Sequence, residues 1–108
     1  MAIKTVLHPV TDLAAAKAVY SALLGMEPTT DSPYYVGYEA DGQQIGLVPN
    51  SDMTSPLANW HVDDIEAKIA EVVAAGATLK SGPKKVGGTR LVATVVDPDG
   101  NVLGLIQD

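Results

Sequence analysis

The chain has 108 residues, 46% of them hydrophobic, and a formal net charge of −6 at pH 7. This length supports one hydrophobic core, and the acidic balance excludes nucleic acid and anionic membranes as expected partners, because both are themselves negative. No apolar run is long enough to span a bilayer and no signal peptide is evident, so a cytoplasmic location is expected. Without cysteine, disulfides and thiolate chemistry are excluded.

The first half of the sequence predicts a strand, a helix and a hairpin. The stretch IKTVLHPV has the β-branched composition of a strand. Apolar residues then recur at helical spacing over residues 13–24, with Asp12 or Thr11 as the N-cap and Gly25 as a left-handed C-cap. The stretches PYYVGYEA and QQIGLV follow as strands joined at Asp41-Gly42, a dipeptide typical of a hairpin turn.

The second half predicts the same kinds of element. Its strands are expected at 57–62, around 77–80, at 89–96 and at 101–106, with a helix over 64–75. Asp63, with Glu66 three residues later, predicts a capping box at the start of this helix. Gly76 is expected to end it.

The two halves therefore repeat one plan. VTDLAAAKAVYSALLGMEP begins at Val10, and its counterpart VDDIEAKIAEVVAAGATL begins 52 positions later at Val62. DGQQIGLVPN likewise has a counterpart in DGNVLGLIQD. Such self-similarity indicates repeated structural units. We predict a single domain over 1–108 with two βαβββ modules, 1–49 and 57–108, joined by a linker over 50–56.

These motifs resemble the vicinal oxygen chelate superfamily of glyoxalases, bleomycin resistance proteins and extradiol dioxygenases. VTDLAAAKAVYSALLGMEP is similar to that family's series of valine, acidic residue, helix, tyrosine and Leu-Gly, and VVDPDGNVLGLIQD to its Asp-Pro-x-Gly-Asn ending. The resemblance covers essentially the whole chain. It implies an α+β fold in which the two modules form a curved mixed sheet with a concave ligand cleft, often around a divalent metal. It also implies a homodimer, with or without exchange of modules.

The resemblance places the family's metal ligands at four positions of this sequence: Thr5, Gly46, Leu57 and Gly104. Divalent metal sites require imidazole and carboxylate donors. Among these four residues only Thr5 has a side-chain donor, and its hydroxyl is a weak one. We therefore predict a metal-free branch of the superfamily, with no cofactor. Each glycine replaces an expected glutamate, which either leaves room for a ligand or marks a strongly bent sheet, and both can hold.

Strand alternation selects candidate ligand-binding residues. His61 directly precedes Val62 and should point into the cleft together with Asn59, whereas His8 shares the face of Val10 and should pack against a helix. An imidazole in the cleft could bind a ligand or transfer a proton near neutral pH. An ordinary packing role is the alternative for His61.

The other ligand-binding candidates in the first module have polar or aromatic side chains; they are Thr5, Tyr34, Tyr38 and Gln44. Alternation puts Tyr34 and Tyr38 on one face of their strand but does not say which face lines the cleft. Tyrosines also pack in ordinary strands, so a purely structural role is the alternative. Trp60 is expected beneath a helix.

In the second module, Arg90 is a candidate for an anionic ligand. It follows the segment SGPKKVGGT, whose glycines could form a loop that closes over the cleft. The alternative is a solvated hairpin with ordinary surface charge.

Three classes of function remain open, and no catalytic residue is assigned. The preferred class is metal-independent binding of a small organic molecule, aromatic or cationic in character. The first alternative is a metal-dependent or metal-independent lyase, isomerase or dioxygenase of the same superfamily. The second is a dimeric interaction protein without a small-molecule role.

Overall fold

The computed structural model describes residues 2–108, in which the order βαβββ occurs twice. The first module contains β1 Ala2–Val10, α1 Leu13–Leu24, β2 Thr30–Asp31, β3 Val36–Ala40 and β4 Gln43–Pro49. The second contains β5 Leu57–His61, α2 Ile65–Ala74, β6 Thr78–Val86, β7 Arg90–Val96 and β8 Val102–Gln107. The α+β fold and the repeated order of elements are as predicted.

Each module has a mixed sheet with the same topology. Residues 4–57 form one compact unit, and residues 58–108 with residues 2–3 form the other. The strand order is β2-β3-β4-β1 in the first unit and β5-β8-β7-β6 in the second. β1 runs parallel to β4, and β5 runs parallel to β8, whereas the other pairs within each unit are antiparallel.

Both helices begin at an aspartate. Asp12 accepts a hydrogen bond from the Ala15 backbone nitrogen at 3.0 Å, and Gly25, with φ of 66°, ends α1 as predicted. Asp64 caps α2 in the same way. The predicted capping box at Asp63 is wrong, because Asp64 is the extended residue directly before the helix. Within residues 2–108, no helix is both long and apolar enough to cross a membrane.

The core of each unit lies between its helix and one face of its sheet. In the first unit, Val36, Tyr38 and Leu47 are buried beneath α1. In the second, residues of α2 pack against β7 and β8; the buried members are Val62, Ile65, Ile69, Ala93, Val95 and Leu105. We call these the helix faces of the sheets, and the opposite faces the far faces. Alternation assigns every other strand residue to a far face.

Two strand predictions differ from the structure. β2 has only two residues and no apolar pattern that could reveal it. β6 continues to Val86, so the segment expected as a possible closing loop is a paired strand of a hairpin. Pro83 is tolerated there because β6 is the last strand in its sheet order. The Asp41-Gly42 turn is as predicted, with φ of 54° and 79°.

Candidate functional site

Two of the predicted residues meet on the far face of the first sheet. Thr5 on β1 lies opposite Gln44 on β4. The Thr5 hydroxyl donates a hydrogen bond to Gln44 Oε1 at 3.1 Å, and Thr5 is only 3% exposed. The pair places a satisfied polar group on a face that also carries Leu7 and Gly46.

An aromatic ring covers a glycine pair on the same face. Gly37 on β3 and Gly46 on β4 are direct register partners. A Cβ atom at Gly37 would lie 2.7 Å from Tyr35 Cε2, and one at Gly46 would lie 2.8 Å from Tyr35 Cε1 and 2.7 Å from Leu7 Cδ2. The ring of Tyr35 therefore lies across both glycines, an arrangement in which an aromatic side chain restores the packing that glycine lacks.

The second sheet has a related arrangement with a different side chain. Asn59 on β5 lies opposite Gly104 on β8, and a Cβ atom at Gly104 would lie 2.6 Å from Asn59 Cγ. Asn59 is 4% exposed, so its amide is held in place over the glycine. Thus Tyr35 covers Gly46, and Asn59 covers Gly104.

Three ionisable side chains lie in a row at one end of the far face of the second sheet. His61 Nδ1 lies 3.3 Å from Asp108 Oδ2, and Arg90 Nε lies 2.5 Å from Asp108 Oδ1. The His61 side chain is 12% exposed and that of Arg90 29% exposed. Two predicted residues, His61 and Arg90, are therefore linked through a carboxylate that sequence reasoning missed. Asp108 follows the last paired residue of β8, so no strand pattern marked it.

Hydrogen bonding lowers the pKa of two carboxyl groups of the second unit. The Arg90 guanidinium holds the pKa of Asp108 below its usual value, with a smaller contribution from His61. The Asn101 side chain, which donates to Asp97 Oδ2 at 2.8 Å, lowers the pKa of Asp97, with help from the Asn101 backbone nitrogen. Both carboxyl groups therefore favour their charged forms in the folded protein.

The protein should lose stability in acid through these two groups. A pKa that is lower in the folded state contributes stability that is present above the unfolded value and lost as pH falls through the folded one. The loss should begin near the ordinary value of 3.8 and continue below it. Urea midpoints measured from about pH 6 down to about pH 2.5 will show the decline. Asp97→Asn should reduce stability at neutral pH and make the decline shallower; parallel curves for variant and wild type would contradict this assignment.

The two tyrosines predicted as ligand-binding residues lie away from the far face of the first sheet. Tyr38 is 1% exposed on the helix face, where its hydroxyl donates to the Lys17 carbonyl oxygen at 3.1 Å and lies 2.8 Å from Ser21 Oγ. Alternation left the face of Tyr38 open, and the structure places Tyr38 under α1 together with Val36. Tyr34 is 80% exposed in the turn before β3. Tyr35 lies on the far face instead.

Two aromatic packing predictions agree with the structure. The His8 ring lies 5.1 Å from the Tyr20 ring of α1, on the helix side of the first sheet. Trp60 packs against the core cluster of the second unit. Tyr35 itself could have been selected from sequence, because its alternation with Gly37 puts it on the opposite face from Tyr38.

The four positions that the resemblance assigns to metal ligands do not supply the donors of a divalent metal site. The Thr5 hydroxyl is engaged by Gln44, Leu57 is a 9% exposed aliphatic side chain, and the glycines offer no side-chain donor. Over residues 2–108, no group of three or more His, Cys, Asp or Glu side chains has an arrangement that could hold a metal ion. The donor set lacks the imidazoles and carboxylates that such a site requires.

Comparison with known proteins identifies the family. Residues 2–105 match the family model of the Glyoxalase/Bleomycin resistance protein/Dioxygenase superfamily. A "Probable lactoylglutathione lyase" of Vibrio parahaemolyticus is 36% identical over 118 residues, covering 92% of this chain and 85% of the relative.

Two solved structures share the fold. A glyoxalase/bleomycin resistance protein/dioxygenase superfamily member from Vibrio splendidus is 22% identical, with a TM-score of 0.71 and coverage of 96% of this chain and 97% of that one. Methylmalonyl-CoA epimerase from Mycobacterium tuberculosis is 19% identical, with a TM-score of 0.74 and coverage of 97% and 86%. The family match, the relative and the repeated βαβββ fold together show that the chain belongs to the Glyoxalase/Bleomycin resistance protein/Dioxygenase superfamily.

Proposed function

We propose that this protein binds a small organic molecule on the far face of a sheet without a metal ion. The observation that carries the proposal is the pair of covered glycines. Gly46 and Gly104 stand where the family resemblance expects carboxylate ligands, and the side chains of Tyr35 and Asn59 lie over them. Because these side chains fill the space beside both positions, the residues present favour contact with an organic ligand over coordination of a metal.

The composition of the far faces supports ligand binding. They combine apolar side chains, such as that of the buried Ile106, with a few buried polar groups, including Thr5 and Asn59. Small-molecule sites are typically apolar surfaces with a small number of well-placed polar groups, which fix the orientation of the ligand. The aromatic ring of Tyr35 and the imidazole of His61 add surfaces suited to stacking and hydrogen bonding.

The test is a metal titration of protein purified without chelator or affinity tag. We expect sub-stoichiometric metal by elemental analysis, and no heat of binding with nickel, zinc, manganese or ferrous iron. A matched sample treated with EDTA should have the same melting temperature, since no metal contributes to folding. Near-stoichiometric metal, or a melting temperature lowered by EDTA, would overturn the metal-independent proposal.

A thermal-shift screen on the same sample tests the binding half of the proposal. Compounds that bind the folded state raise the melting temperature, and the rise grows with the logarithm of ligand concentration above the Kd. We expect stabilisation by members of a panel of small cationic, neutral and anionic organic molecules. Hits should lose their effect in His61→Ala, whereas Tyr34→Ala, which changes an exposed turn residue, serves as the matched control.

Lactoylglutathione lyase activity is a second candidate function. Its support is the 36% identity to the Vibrio parahaemolyticus protein of that name. Mixing the protein with glutathione and methylglyoxal, which combine to a hemithioacetal, and measuring formation of the lactoyl thioester, with and without added nickel or zinc, tests it directly. Turnover above the uncatalysed rate would establish an enzyme, and its dependence on metal would decide between the two proposals.

A further inference from the structure

Asp108 shows how the second far face holds a carboxylate. One oxygen, Oδ1, lies 2.5 Å from Arg90 Nε, and the other, Oδ2, lies 3.3 Å from His61 Nδ1. The two donors come from different strands, since Arg90 begins β7 and His61 ends β5. Both oxygens of one carboxylate are therefore contacted by two side chains that the sheet holds at a fixed separation.

The donors are more enclosed than the carboxylate between them. The side chains of His61 and Arg90 are 12% and 29% exposed, whereas that of Asp108 is 59% exposed. His61 and Arg90 also lie within paired strands, while Asp108 lies beyond the last residue of β8. An exposed side chain outside the strand ladder can leave at lower cost than either donor can move.

The local charge favours an anion although the whole chain is acidic. Lys84 is the register partner of Val92, which shares the far face with Arg90. Arg90, Lys84 and the imidazole of His61 thus lie on a face where Asp108 supplies the opposing charge, in a chain with a net charge of −6. Removing Asp108 from its contacts would leave this end of the face basic.

From this geometry we propose that His61 and Arg90 form a carboxylate seat, and that Asp108 is a tethered occupant that a ligand carboxylate displaces. The inference rests on the proposed small-molecule binding and names the ligand class: an organic acid. It also explains Arg90, whose side chain gives directional donors that suit a carboxylate. No bond is made or broken, because one carboxylate exchanges for another.

The experiment measures acetate binding by backbone amide chemical shifts, with acetamide as the neutral probe of the same shape. In wild-type protein acetate must compete with Asp108, so its apparent Kd is the intrinsic Kd divided by the fraction of molecules whose seat is open. If Asp108 fills the seat in nine molecules of ten, Asp108→Ala should bind acetate about tenfold more tightly. Acetamide should be little affected.

Two further variants separate the seat from general electrostatics. Asp63→Ala also removes one negative charge, from an exposed position before α2, and should leave the acetate Kd within about twofold of wild type. Arg90→Gln combined with Asp108→Ala should cancel the gain, because the seat then lacks its charged donor. Orthophosphate, titrated in parallel, should bind Asp108→Ala no more tightly than acetate does.

Three results would overturn the proposal. They are an unchanged or weaker acetate affinity in Asp108→Ala, an equal gain in Asp63→Ala, and a clear preference for orthophosphate, which would assign the seat to phosphate ligands. None of these outcomes depends on the metal titration. A protein that binds metal can still show the acetate effect, and a metal-free protein can fail to show it, so the two proposals fail separately.

Discussion

Tyr38→Ala should lower the free energy of unfolding by about 3–5 kcal/mol, as expected for truncation of a large aromatic side chain in a core. Tyr38 is 1% exposed beneath α1 and belongs to the core cluster with Val36 and Leu47. Its removal leaves a cavity that the surrounding strands cannot fill. It also leaves the Lys17 carbonyl oxygen and the Ser21 hydroxyl without the tyrosine oxygen that joins them.

Urea denaturation of Tyr38→Ala and Tyr38→Phe separates these two contributions. Phenylalanine keeps the ring and removes the hydroxyl, so Tyr38→Phe should cost about 1–3 kcal/mol, the range for leaving buried polar groups unpaired. A loss below about 1 kcal/mol in Tyr38→Ala would show that the ring is not part of the core.

Gly46→Glu should destabilise the protein by about 3 kcal/mol or more, because it adds both a crowded Cβ and a buried carboxylate. The new Cβ would lie 2.7 Å from Leu7 Cδ2 and 2.8 Å from Tyr35 Cε1, both shorter than normal contacts. Gly46 is buried, so the added charge would be removed from water without a designed partner. Gln44→Glu on the same strand and face is the matched control, since that position already carries a long side chain.

A double-mutant cycle tests whether the Tyr35 ring causes this cost. Tyr35→Ala removes the ring from above Gly46, so the loss caused by Gly46→Glu should be smaller in a Tyr35→Ala background than in the wild type. A coupling of about 1 kcal/mol or more in that direction is expected for residues in direct contact. Additive losses would mean that Tyr35 does not occupy the space beside Gly46 and would remove the main support for the metal-independent proposal.

The local fold was predictable because short-range signals determined it. Asp12 and Gly25 set the ends of α1, and Asp41-Gly42 set the hairpin turn, each through backbone preferences that act within a few residues. Neighbouring signals of equal strength were less reliable. Asp63 and Asp64 are both acceptable N-caps. Which of them caps α2 depends on the residue at which the backbone turns from extended to helical, and that residue follows Asp64.

The candidate site was less predictable because it depends on register between strands. Alternation placed His61 and Asn59 opposite Trp60 and Val62, in agreement with the core of the second unit. It left the face of Tyr38 undecided, since that required the position of α1 over β3. The contact of Asp108 with two side chains distant in sequence was not encoded in any local pattern.

The two covered glycines also constrain how this chain can evolve. A mutation that introduces a carboxylate at Gly46 meets the ring of Tyr35, and one at Gly104 meets the amide of Asn59. Either change lowers stability as long as the covering side chain is present. The two covering side chains, an aromatic ring and an amide, come from different parts of the chain. A carboxylate at either glycine would therefore need a second substitution, at Tyr35 or at Asn59, to make room for it. The effect of a mutation at each glycine thus depends on the residue that covers it, which is epistasis between residues in contact.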